Sequence, residues 1–115
     1  MEDSVSKADI NQFLTLDMRV GTIVSAVVFE KARKPAYQLQ IDFGELGLKK
    51  SSAQVTDLYT PETLEGKQVI AVVNFPPRQI ASFISEVLVL GSVNEKGHVT
   101  LLQPERLVSN GEKIA

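Results

Sequence analysis

The spacing of apolar and polar positions changes several times along the chain, and each change marks an element. Ser6-Lys7-Ala8-Asp9 fits a capping box, and Ile10, Phe13 and Leu14 then recur at i, i+3 and i+4, predicting a short amphipathic helix. From Met18 to Phe29 the chain is rich in β-branched residues and predicts a strand, with Gly21 marking a bulge or sharp bend inside it. Tyr37, Leu39, Ile41 and Phe43 then alternate with Ala36, Gln38, Gln40 and Asp42, the strongest period-2 signal in the chain and the mark of a half-buried strand. "GELGLKK" reads as a glycine-punctuated loop and "SSAQVT" as a weaker strand.

In "YTPETLEGK", Thr60 suits an N-cap, Pro61 the first helical position and Gly66 the stop, predicting a helix of one or two turns. "QVIAVVNF" and "EVLVLGSV" read as buried strands, with "PPRQIASFIS" interrupting them. Glu95-Lys96-Gly97 predicts a turn into "HVTLLQP", and Asn110-Gly111 a final turn. Three strands, a short helix and two or more further strands is the order of an OB-fold barrel. The expectation is therefore an all-β chain with short helices, a five-stranded OB-fold β-barrel forming one domain over residues 1–115. Another small barrel or sandwich also fits the periodicity. The segments beyond Leu90 exceed a minimal barrel, and such extensions cover an edge or pair with a second chain.

With 115 residues, 43% of them hydrophobic and 23% charged, the chain has the composition of a soluble globular domain. It has no apolar run long enough to span a bilayer, so membrane insertion is not expected. "MEDSVSKAD" lacks the character of a secretory signal, and a cytoplasmic location is the default expectation. The absence of cysteine excludes disulfides, thiol catalysis and cysteine-held zinc. Net charge is -2 but unevenly spread: residues 31–50 hold Lys31, Arg33, Lys34, Lys49 and Lys50 against Asp42 and Glu45. A local basic patch attracts anions even on an acidic protein.

Chemistry-bearing patterns for an enzyme are lacking, and neither a cofactor nor a metal is expected. His98, the one histidine, sits beside a turn, and there is no Walker-type loop, His-x-x-x-His or G-x-S-x-G. The basic groups are better placed. Arg33 and Lys34 lie between the first two predicted strands, Lys49 and Lys50 at the start of the third, and Arg78 between the fourth and fifth, positions that flank the ligand face of an OB-fold. Tyr37, Phe75 and Phe83 are the candidate stacking groups, too few for a protein that coats single strands. Phe75, Ile80, Phe83 and Leu88 belong to an apolar stretch richer than one barrel wall needs, which suggests a dimer interface or a groove for extended peptides.

"MRVGTIVSA", "KPAYQLQIDFG", "SSAQVT", "LEGKQVIAVVNFPPRQIASFISEVLVLG" and "VSNGEKI" together resemble the CsaA family of bacterial export-related chaperones, within the wider tRNA-binding OB-fold group. The resemblance spans about Leu16 to Ile114. It implies an OB barrel whose terminal extensions and late strands build a homodimer. It also implies binding of unfolded preproteins or peptides, an export role beside the Sec machinery, and a capacity for tRNA. Ser85 and Glu86 match the start of the wider group's Ser-Glu-Gly-Met type tRNA motif, while Val87 and Leu88 stand in place of its glycine and methionine. On this resemblance Arg33, Lys34, Lys49, Lys50, Arg78, Ser85 and Glu86 are candidates for tRNA or anion contact. Tyr37, Phe75, Ile80, Phe83 and Leu88 are candidates for a peptide or dimer groove.

Overall fold

A computed structural model describes residues 6–115. The first helix, α1 (Ile10–Thr15), is capped one turn later than the sequence suggests. Asp9 rather than Ser6 is the N-cap: its carboxylate accepts from Asn11 N at 2.8 Å, and Gln12 Oε1 accepts from Asp9 N at 2.7 Å. Asp9 wins because the residue three positions on is a glutamine, which can return the bond. Asn74 ties the helix exit to the barrel, donating from Nδ2 to Thr15 O and accepting at Oδ1 from Asp17 N.

β1 (Met18–Val28) is long enough to serve two neighbours. Its first half pairs with β4 (Gln68–Val72) and its second half with β2 (Tyr37–Asp42), both antiparallel. The bulge lies between Ile23 and Ser25 and not at Gly21. Gly21 solves a different problem: a Cβ there would sit 2.6 Å from Ile41 Cγ2 and 2.8 Å from the Phe43 ring. Glycine lets β1 cross the barrel interior at this depth.

A 3-10 turn (Gly44–Leu46) leads into β3 (Leu48–Ala53), which starts earlier than "SSAQVT" and takes in both lysines. α2 (Pro61–Leu64) follows the Thr60 cap as its sequence predicts, and Gly66 beyond it has φ +91°. "PPRQIASFIS" is not a mere interruption: it holds a hairpin of β5 (Arg78–Ile80) and β6 (Phe83–Ser85). "EVLVLGSV" is split into β7 (Leu88–Val89), paired with β4, and β8 (Gly91–Val93), paired with β9 (Val99–Leu101). Gly91 accounts for the close β8–β9 approach, since a Cβ there would run into Val99 Cγ1.

The main sheet has the order β3-β2-β1-β4-β7, and its two ends come together. Glu86 N and Val87 N both donate to Lys50 O, and Ser51 Oγ donates to Val87 O at 2.9 Å. These bonds draw the five strands into a nearly closed antiparallel barrel of the OB type, filled by Ile23, Leu39, Ile41, Phe43, Leu64 and Val69. The final segment lies along the part of β1 that β2 leaves free: Val20 N donates to Glu112 O, Gly111 N to Val20 O and Ile114 N to Met18 O. Arg19 supports it by donating to Gly111 O at 3.0 Å, and its own hydrogen bond to Asp17 raises the guanidinium pKa above its ordinary value. No helix among the described residues is long and apolar enough to cross a membrane.

Candidate functional site

The β5–β6 hairpin stands away from the main sheet and makes one wall of a cavity. A hairpin this tight needs a residue with positive φ in its turn, and Ala81 supplies it at φ +54°. Gln79 Nε2 braces the turn by donating to Ala81 O. The hairpin is fastened to β3 by side chains: Ser85 Oγ accepts from Ser52 N at 3.0 Å, and Glu86 Oε1 accepts from Lys50 N at 2.9 Å. Ser85 and Glu86, which the family resemblance offers for tRNA or anion contact, thus spend these acceptors on the β3 edge. An acceptor that satisfies an otherwise orphaned strand N–H is a barrel-closing group first. Glu86→Ala is therefore expected to lower stability by about 1–3 kcal/mol by orphaning Lys50 N, and Glu86→Gln by much less, measured by urea unfolding.

Between this hairpin, the end of β3, β7 and β9 lies an open cavity of about 490 Å³, with a mainly apolar lining. Phe75, Ile80, Leu88, Val99 and Leu101 supply its greasy wall, and Arg78 and Glu86 its charged groups. Phe75 and Leu88 remain 43% and 49% exposed, large apolar groups left uncovered by the described residues. The volume falls in the range of ordinary ligand-binding clefts. Tyr37 does not belong here: its ring is buried in the barrel core, and its hydroxyl donates to Tyr59 O at 2.7 Å. Core packing claims it because it lies on the inward face of β2 with Leu39 and Ile41. Val99 and Leu101, missed by the sequence reading, reach the cavity because Leu101 N donates to the Tyr59 hydroxyl and holds β9 against the barrel.

Phe83 takes a third course. Its ring packs against Phe29 at 5.4 Å between centroids, tilted by 58°, and Lys50 Nζ lies 5.3 Å from its centre. Phe29 is the buried root of the loop that carries Arg33 and Lys34, so the aromatic pair brings that loop and the hairpin to one side of the molecule. Arg33 and Lys34 are exposed, and no described carboxylate forms an ion pair with either. Lys50 is held on the same side by a cation–π contact. Lys49 is its neighbour along β3 and so points to the opposite face. Of the basic candidates, Arg33, Lys34 and Lys50 share the loop-and-hairpin side, Arg78 belongs to the cavity, and Lys49 stands apart.

Residues 18–113 match the family described as "Putative tRNA binding domain". The crystal structure of the chaperone CsaA from Bacillus anthracis superposes with a TM-score of 0.92 at 57% identity, covering 96% of this chain and all of that one. The chain belongs to the tRNA-binding domain family, in its CsaA branch. A second member of that branch, the CsaA chaperone protein from Picrophilus torridus, is 51% identical with a TM-score of 0.89, over 95% of this chain and all of that one. The methionine–tRNA ligase of Methanococcoides burtonii is 36% identical over 104 residues, 90% of this chain. The chain spans only 15% of that ligase's length. In this chain the residues just described form two adjoining surfaces, an apolar cavity and a basic loop joined by the hairpin.

Proposed function

We infer that this chain is a CsaA-like molecular chaperone, a homodimer that holds extended apolar segments of unfolded preproteins or other peptides, assists their export, and also binds tRNA. The observation that carries this reading is the uncovered apolar cavity of about 490 Å³ beside Phe75, Ile80 and Leu88. Such a surface is costly to leave wet unless something docks there. The high identity to two CsaA chaperones supports the client class. Arg33, Lys34 and Lys50 supply the cationic face that tRNA phosphates would meet, in keeping with the family. A dimer is supported by α1, whose Ile10 and Leu14 are 67% and 60% exposed and lack a partner face within the described residues. The protein acts by binding and not by turnover, in the cytoplasm beside the Sec export machinery. A monomeric mass by light scattering at micromolar concentration would refute the dimer.

The competing reading is a tRNA-binding module of translation, which the match to methionine–tRNA ligases favours. A salt series separates the two. Apolar capture survives salt, because burial does not depend on screening, whereas phosphate contacts weaken steeply. Binding of an unfolded client and of tRNA is measured on one preparation. Client binding that vanishes at moderate salt, beside tight and selective tRNA binding, would overturn the chaperone reading. Leu88→Glu, a lip residue of the cavity, is expected to weaken client binding about ten-fold or more while leaving tRNA retention unchanged.

A further inference from the structure

Asn110-Gly111 carries chemistry of its own. The main-chain nitrogen that follows an asparagine can attack the side-chain amide carbon and close a five-membered ring, and glycine hinders this least. Packing requires glycine here, since Gly111 has φ +93° and a Cβ on it would lie 2.6 Å from Phe43 O. The chain is therefore bound to one of the most reactive dipeptides, and the fold occupies its reacting atoms. Gly111 N donates to Val20 O at 2.7 Å. Asn110 Oδ1 accepts from Thr22 Oγ1 at 2.7 Å and from Gln68 Nε2 at 3.2 Å. Gln68 is itself buried and clamps Val108, two residues before Asn110, twice, donating to Val108 O and accepting from Val108 N.

We propose that Asn110 is a self-modification site that the docked C-terminal segment keeps silent and that local detachment of the segment activates. On detachment, Gly111 N gives its proton to water or hydroxide and bonds to Asn110 Cγ. The Cγ–Nδ2 bond breaks and ammonia leaves. Water then opens the ring at either carbonyl, so the net change is amide plus water to acid plus ammonia. Opening at one carbonyl gives aspartate, whose carboxylate can still accept from Thr22 and Gln68. Opening at the other gives isoaspartate, which routes the main chain through the side chain and lengthens it by one methylene. That product misplaces Gly111 against Phe43 O, and the bonds from Val20 N and Ile114 N cannot all reform. A chain that has detached often enough thereby loses its cover on the β1 edge permanently, an exposed edge being a template for pairing with other chains.

The test incubates the full chain at mildly alkaline pH, folded or in urea, and follows isoaspartate by enzymatic methyl labelling and peptide mass. Modification at Asn110 is expected to be slow in the folded chain and fast in urea. Thr22→Val, which keeps the shape and removes one donor, is expected to speed it about ten-fold by easing local opening. Asn110→Asp is expected to keep wild-type hydrogen-exchange protection at Gly111 and Ile114, whereas the isolated isoaspartyl chain loses it. Equal rates in folded and unfolded chains, no response to Thr22→Val, or an isoaspartyl chain with its protection intact would each overturn the proposal.

Discussion

Phe43→Ala is expected to cost about 3–5 kcal/mol, a large share of the ~5–15 kcal/mol that holds an ordinary domain folded. Phe43 is fully buried and lies just past the end of β2, where its ring fills the space that Gly21 leaves open on β1. Deleting the ring removes its transfer energy and leaves a hole that the barrel cannot close, because strands hydrogen-bonded on both sides cannot move inward. The measurement is a urea midpoint with its slope, and a fall in midpoint at unchanged slope is the expected result. A double mutant sharpens it. Gly21→Ala alone overpacks, since its Cβ would approach the ring to 2.8 Å, and costs about 1–3 kcal/mol. In the Phe43→Ala background the clash with the ring is gone and only the approach to Ile41 Cγ2 remains, so the double mutant should lose less than the sum of the two single losses. Strict additivity would refute the contact. Leu46→Ala, on an exposed turn, should stay within about 0.5 kcal/mol.

The parts of this barrel that announce themselves in the sequence are those in which local pattern and tertiary packing agree. β2 alternates because one face meets the core and the other faces outward, and α2 starts at Thr60 because cap, proline and stop coincide. The β5–β6 hairpin was hidden for the converse reason. Its turn is Ala81-Ser82, without the glycine or asparagine that usually supplies a positive φ, and its strands bury neither face fully. The break at Leu90 was equally silent, since "EVLVLGSV" is apolar throughout and only pairing decides that its two halves join different partners. Of the apolar stretch, Phe75, Ile80 and Leu88 line the cavity. Tyr37 and Phe83 were drawn elsewhere, one into the core and one onto Phe29, which depends on ring directions no linear pattern records. Val99 and Leu101 come from far along the chain and are placed by the Tyr59 hydroxyl, a contact with no sequence signature.

Reversing charge at the loop between β1 and β2 with Arg33→Glu and Lys34→Glu is expected to weaken tRNA binding about a hundred-fold at low salt. The loop is exposed and its root, Phe29, is buried, so the substitutions alter the field without touching the core. Each lost phosphate contact also removes released counterions, so the plot of log affinity against log salt should become shallower by about two. Slope is the stronger readout, because a misfolded variant loses affinity at every salt concentration without reporting a smaller number of contacts. Lys50 provides the internal comparison. Its ammonium lies over Phe83, and its main-chain N–H holds Glu86, a bond that every side-chain substitution preserves. Lys50→Gln should therefore reduce the slope by about one with the barrel seam intact, and Lys49→Gln, on the other face of β3, should leave it unchanged. Client capture in the cavity should be nearly insensitive to all three variants, since Phe75, Ile80 and Leu88 are untouched and apolar burial is not screened by salt. A loop reversal that leaves tRNA affinity and slope as they were would remove the basic loop from the interface. Loss of client binding in step with tRNA binding would instead merge the cavity and the loop into one site.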